Sequence, residues 1–151
     1  MTQRLAEQLQ AFLIANGVGR RPTTAGSSLP PIWLDPKEGV PAPGDGGAPT
    51  AHADLVLALV PAPGVAPDHF EGWFDRPGID IWLRARNPVI AEDAAWTIRG
   101  LLNDRRHFLV GGLLVEESLV SRPFQKLYSD ENGWTYLMGF QFLVRESAYA
   151  A

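Results

Sequence analysis

The first hydrophobic residues of the chain recur with the period of an amphipathic helix. Their spacing of i, i+4, i+7 and i+8 aligns them along one side of a helix. An Asn16-Gly17 pair follows, and glycine readily adopts the left-handed conformation that ends a helix. The pattern predicts a first helix over about Gln3–Ala15. Its hydrophobic side consists of Leu5, Leu9, Phe12 and Leu13.

Three extended segments follow the first helix. Ile32–Leu34 is short, and Asp54–Val60 is a nearly continuous hydrophobic run of the kind found in buried strands. Gly78–Arg86 alternates instead, with one hydrophobic face and one face that carries Trp82 and Arg84. This alternation predicts a strand that is buried on one face only.

A second helix is predicted to begin at Asn87-Pro88. Asparagine is a favourable N-cap, and proline is a favourable first helical residue. We expect Arg105 and Arg106 at the end of this helix, where the helix dipole favours positive charge. Its hydrophobic side is predicted to consist of Ala91, Ala94, Ala95, Ile98, Leu101 and Leu102.

The last part of the chain is predicted to be extended. Leu113–Val120 is a hydrophobic strand, residues 121–123 form a bend with a proline, and Phe124–Tyr128 is a further short extended piece. Trp134–Arg145 alternates strictly between hydrophobic and other residues. A turn at residues 130–133 joins these segments and predicts an antiparallel hairpin.

The predicted order of elements is α-β-β-β-α-β-β. Two amphipathic helices need a sheet to cover, so we expect an α+β fold with a mixed, mostly antiparallel sheet and both helices packed on one face. The 151 residues have the size of one domain. We therefore predict a single domain over residues 1–151, with a Pro/Gly-rich loop at about residues 35–53.

Charge and composition exclude several classes of function. The net charge of −4 disfavours the broad basic surface of nucleic-acid-binding proteins, so we expect no sequence-specific nucleic acid partner. The chain has no cysteine, which excludes disulfides, thiolate metal sites and a cysteine nucleophile. No signal peptide and no hydrophobic run of about 18 residues is evident, so no membrane partner is expected.

Catalytic motifs are scarce. His52 and His69 lie in or beside proline-rich loops, and His107 follows the second predicted helix. Such histidines are more often solvated or capping residues than catalysts. Asp68, His69, Glu71 and Asp75 include metal-ligand types but match no known ligand spacing. We expect no enzyme activity, no metal and no cofactor. A small hydrolase that uses His69 with Asp68 or Glu71 is kept as an alternative.

Arginines and outlying aromatic residues favour assembly over catalysis. The chain contains 11 arginines and 2 lysines, and arginine suits interface ion pairs because its planar guanidinium binds carboxylates with two hydrogen bonds. Aromatic residues near loops or on polar strand faces are typical of interfaces. The candidate interface residues are Trp73, Phe74, Asp75, Arg76, Trp82, Arg84 and Arg86.

The ordered set of motifs resembles the tail terminator proteins of long-tailed bacteriophages, which are small head–tail joining, minor-capsid-like proteins. Its segments in this chain are LAEQLQAFLIANGVG, LVLALVPAPG, FDRPG followed by IDIWLRAR, AAWTIRGLLND, and SRPFQKLYSDENGWTYLMGFQFLVR. The order and spacing of these segments carry the resemblance. It covers nearly the whole chain except residues 20–53.

The resemblance implies a structural virion protein without enzyme activity or cofactor. Such proteins form a homohexameric ring at the head–tail junction that caps the tail tube, ends tail polymerisation and joins the tail to the head connector. The expected partners are further copies of the chain, the tail tube protein and a head-completion or connector protein. Synthesis is expected in the host cytoplasm. Another head–tail adaptor or a tail-tube subunit is the nearest alternative.

The resemblance also gives the candidate interface residues a role. We expect them to contribute to subunit or tube contacts. We further expect the Pro/Gly-rich loop at residues 35–53 to become ordered only against a neighbouring subunit.

Overall fold

The computed structural model of the chain describes residues 2–23, 28–37, 39–43, 54–65, 74–131 and 133–145. Most of them belong to two helices and one sheet. In chain order the elements are α1 (Thr2–Ala15), β1 (Ile32–Leu34), β2 (Leu55–Val65), β3 (Phe74–Ala85), α2 (Pro88–Leu102), β4 (Arg105–Val110), β5 (Leu113–Asp130) and β6 (Gly133–Arg145).

The strands form one six-stranded sheet in the order β1-β2-β3-β6-β5-β4. The β1–β2 pair is parallel, and the other four pairs are antiparallel. The predicted mixed, mostly antiparallel sheet is therefore confirmed. The predicted order of elements also agrees with the structure, except that it lacked β4.

One face of the sheet shares a hydrophobic core with both helices. Buried residues of α1, such as Leu9, and of α2, such as Ile98, belong to the same cluster as Ile81 and Met138, which are paired across β3 and β6. Alternate residues of each strand point to this side because side chains in a strand point alternately to opposite faces. We call it the inner face and the opposite side the outer face.

The start of α2 confirms the predicted cap. The side chain of Asn87 accepts a hydrogen bond of 3.0 Å from the backbone N–H of Ile90, and Pro88 is the first helical residue. At the end of α1, Gly17 has a φ of +75°, and the side chain of Asn16 donates to the carbonyl of Phe12. These contacts pair an N–H group at the start of α2 and a carbonyl group at the end of α1, where a helix leaves such backbone groups unpaired.

The placement of Arg105 and Arg106 at the end of α2 is wrong, because both residues lie in β4. The helix ends at Leu102, and Asp104 turns the chain with a φ of +52°. The Arg105 side chain nevertheless reaches back to the carbonyl of Leu101 at 3.3 Å, near the negative end of the helix dipole. The prediction missed β4 because charged residues occupy its first half.

The bend predicted at residues 121–123 does not interrupt the strand, and β5 is one continuous strand of 18 residues. Its pairing with β6 shifts register at four places, between residues 115 and 117, 120 and 122, 122 and 125, and 126 and 128. Such bulges insert an unpaired residue and bend the strand without ending it. Pro123 lies within one of these shifts, where a missing N–H is tolerated.

Candidate interaction surfaces

The first part of the proline-rich loop lies against the outer face of the sheet of its own chain. We call residues 35–37 and 39–43 the strap. The backbone N–H of Asp35 donates to the carbonyl of Leu59 at 2.9 Å. At the other end of the strap, Pro43 lies beside Gly133. Residues 44–53, which make up the rest of the predicted loop, and residue 38 are outside the described residues.

Trp82 lies on the outer face beneath the strap. It is paired with Ala58 on β2 and Leu137 on β6, both of which are buried although they face away from the helices. A cavity of about 410 Å³ separates Trp82 from the strap and from Tyr128. Trp82 is therefore half-buried inside its own subunit rather than fully exposed.

Arg84 joins the strap to two other parts of the chain. One guanidinium nitrogen, Nη1, donates to the carbonyl of Val40 at 2.9 Å, and Nη2 lies 3.2 Å from Asp130 Oδ2 near the β5–β6 turn. Its side chain is only 14% exposed, and its Nε is buried without a hydrogen-bond partner. The structure thus gives Arg84 a contact within the subunit, which the sequence pattern did not reveal.

Asp80 and Arg122 approach each other across Gly139 on the outer face. Gly139 is paired with both residues, and Arg122 Nη1 lies 3.7 Å from Asp80 Oδ2. A Cβ atom at position 139 would lie 2.8 Å from Asp80 Oδ1 and 2.9 Å from Arg122 Cβ. Burial raises the pKa of Asp80, and the charge of Arg122 opposes part of that increase.

The remaining candidate interface residues are not gathered around Trp82. Asp75 and Arg76 lie near the start of β3, about 25–30 Å along the strand from Arg84 at the usual rise per residue. Arg86 follows the strand, and its backbone N–H donates to the carbonyl of Asp54. Trp73 is outside the described residues, and of Phe74 only the backbone is described.

A cluster of charged side chains lies where β4, β5 and β6 meet. Glu116 occupies the register shift between residues 115 and 117, and its carboxylate contacts His107 Nδ1 at 2.8 Å and Arg145 Nε at 3.6 Å. His107 has a φ of +50°, a conformation that is rare for residues other than glycine. The cluster lies near the β4 edge of the sheet, and His107 is the one predicted candidate histidine that the described residues include.

Most of the candidate catalytic and metal-binding residues lie outside the described part of the chain. Within the described residues, no group of three or more histidine, aspartate or glutamate side chains is placed to hold a metal ion. His52, Asp68, His69 and Glu71 are outside the described part of the chain, so the structure does not test the hydrolase alternative. Neither α1 nor α2 is long and hydrophobic enough to cross a membrane.

Several exposed large hydrophobic residues were not among the predicted site residues. Trp96 on α2 is 63% exposed, with the Arg99 guanidinium 5.5 Å from its ring centre. Leu109 and Leu114 are paired across β4 and β5 and are 60% and 43% exposed. Trp96 falls outside the predicted hydrophobic side of α2, so its exposure could have been inferred from the sequence. The exposure of Leu109 could not be predicted because Leu109 lies in β4, a strand that was not expected.

Comparison with known protein families finds a match for this chain. A family model described as bacteriophage tail terminator protein matches residues 46–147 of this chain. The matched region begins before β2 and contains α2 and every strand from β2 to β6. No curated protein matches the chain.

Proposed function

Since this chain belongs to the bacteriophage tail terminator protein family, we propose that it forms a homohexameric ring that caps the tail tube and ends tail polymerisation. The family is one of structural phage tail proteins, so the chain is a structural component of the virion tail. Beyond this structural role, we propose the ring itself, its position at the head–tail junction and its action on the tube. The family match over residues 46–147 is the observation that carries it.

The proposed partners are further copies of the chain, the tail tube protein and the head-completion or connector protein. A subunit in a closed ring presents one surface to the next subunit and a different surface to the previous one. This chain has exposed hydrophobic residues on different elements, with Trp96 on α2 and Leu109 and Leu114 on the β4–β5 hairpin. Such separate patches suit assembly through unlike surfaces.

All seven predicted interface residues stay part of the proposal. We propose that Asp75 and Arg76, near the start of β3, contribute directly to contacts with a neighbouring subunit or the tube, together with Trp73, Phe74 and Arg86. Trp82 and Arg84 would contribute through the strap, because their described contacts are made with the strap and the outer face. From the sequence, the whole loop at residues 35–53 is expected to become ordered only against a neighbour. Because its first part already contacts the sheet of its own chain, we propose this only for residues 44–53.

Size-exclusion chromatography with light scattering, followed by negative-stain imaging, tests the proposal on the purified protein. We expect a discrete oligomer of six subunits that appears as a ring. Long tubes formed by the chain alone would favour a tail-tube subunit instead. A monomer that binds head connectors and leaves tail tubes unchanged would favour the adaptor alternative.

A further inference from the structure

A groove on the helix side of the subunit has hydrophobic walls and an exposed tryptophan at its rim. Trp96 on α2 stands 63% exposed beside a cavity of about 230 Å³ between α2 and β5. Pro123, Phe124 and Met138 line the other side of this cavity. The ring of Phe124 is itself fixed by stacking on a neighbouring aromatic ring at 4.7 Å. We call this cavity the α2–β5 groove.

A hydrophobic ridge lies on the opposite side of the sheet. Leu109 and Leu114 are paired directly across β4 and β5, and they alternate with Phe108, Val110 and Val115, which are buried in the core. The two leucines therefore point to the outer face, where they are 60% and 43% exposed. We call this pair the leucine ridge.

The ridge and the groove lie on opposite faces of one subunit, so a subunit cannot fill its own groove with its own ridge. A hydrophobic patch and a pocket at different places on one molecule produce a heterologous contact between copies. Repetition of that contact gives a ring when the rotation closes. Each subunit of a ring needs two unlike surfaces that contact each other in neighbouring copies, and the ridge and the groove are two such surfaces.

Charged residues lie beside both surfaces. Arg106 and Arg145 lie near the ridge and are 68% and 57% exposed, and each is paired with a more buried carboxylate, Glu117 (27% exposed) and Glu116 (11% exposed). The lining of the groove includes one exposed residue of each sign, Glu92 and Arg99, and the Arg99 guanidinium lies 5.5 Å from the centre of the Trp96 ring. Glu92 is therefore the group at the groove that the exposed arginines beside the ridge can contact.

We propose that the leucine ridge of one subunit packs into the α2–β5 groove of the next copy of this chain. The proposal rests on the ring assembly proposed above and names the surfaces that form its subunit contact. The occupant is a side-chain ridge rather than an added strand, because bulges and Pro123 disfavour strand pairing at this part of β5.

Because the natural chain has no cysteine, paired cysteine substitutions can test this contact directly. The double variant Trp96→Cys/Leu109→Cys is treated with a short bifunctional maleimide and analysed by denaturing electrophoresis. We expect a ladder of covalent oligomers, whereas each single variant stays monomeric on the gel. The double variant Tyr128→Cys/Leu109→Cys is the matched control, because Tyr128 is 48% exposed but lies outside the groove.

A second variant tests the contact without a cross-link. Trp96→Lys should raise the dissociation constant of the oligomer about ten-fold or more, since large buried aromatic residues dominate interface energetics. The helix should be retained, because a lysine four residues after Glu92 is a favourable helical pair. Trp96→Phe should assemble like the unmodified protein.

Three results would overturn the inference. One is a double cysteine variant that assembles like the unmodified protein but gives no ladder; loss of assembly in this variant is instead the effect expected when both side chains are removed from the contact. Another is strong cross-linking of a single variant to itself, which would show a contact between like surfaces. The third is a Trp96→Lys variant that assembles with an unchanged dissociation constant. Six-fold rings seen in any of these cases would leave the proposed function standing.

Discussion

The contact of Arg84 with the strap leads to a quantitative prediction about stability. Arg84→Met keeps the length of the side chain but removes the donors to Val40 and Asp130. A hydrogen bond from a charged donor contributes about 1.5–3 kcal/mol, and a partly exposed ion pair adds about 0.2–1 kcal/mol. The substitution also removes the unpartnered Nε, whose burial costs about 1–3 kcal/mol.

The net expected loss is therefore about 1 kcal/mol in the free energy of unfolding, which is smaller than the hydrogen bonds alone would suggest. For a protein of this size it corresponds to a decrease of about 2–4 °C in melting temperature. Urea denaturation followed by tryptophan fluorescence measures the free energy. The control Asp130→Asn removes only the ion pair and should cost less than about 1 kcal/mol.

Hydrogen exchange of the strap amides tests whether Arg84 holds the strap on the sheet or acts only at the protein surface. Residues 39–43 should exchange faster in Arg84→Met than in the unmodified protein, because the strap loses its bond to β3. Unchanged exchange in the strap, together with an unchanged urea midpoint, would refute the reasoning. Lost assembly with full stability would instead show that Arg84 acts directly in a subunit contact.

Three further substitutions test local features. Burial holds the pKa of Asp80 above its ordinary value of 3.8, so its contribution to stability is present below that pH and is lost as the pH rises through the folded-state pKa. Asp80→Asn should therefore gain stability relative to the unmodified protein between pH 4 and pH 7 in urea titrations. Gly139→Ala should cost about 1–3 kcal/mol by calorimetry, since its Cβ would press on Asp80 and on Arg122 Cβ. Asn87→Ala should lose about 1 kcal/mol through the N-cap bond to Ile90, and Asn87→Ser should restore most of it.

The sequence predicted the elements whose signal is local. The alternation in β3 and β6 and the Asn87-Pro88 cap come from neighbouring residues, and all three agree with the structure. β4 was missed because its first three residues are Arg105, Arg106 and His107, a charged run that resembles the end of a helix. Its place at the sheet edge depends on pairing with β5, which no local pattern reveals.

The interaction surfaces were harder to predict than the fold. The exposure of Trp82 and Arg84 was inferred from alternation, which assigns a residue to a face but does not show what covers that face. The strap covers that part of the sheet through contacts between residues more than 40 positions apart, such as the bond from Arg84 to Val40. The exposure of Trp96 could have been predicted from its position outside the hydrophobic side of α2, but its place beside Phe124 and Met138 depends on how α2 packs against the sheet.

The central claim is that this chain ends the growth of a tail tube. The direct measurement is the length distribution of tubes assembled from the tail tube protein of the same phage, with and without this protein, by negative-stain electron microscopy. We expect shorter tubes with a ring at one end when the protein is present. Tubes of unchanged length without rings at either end would contradict it.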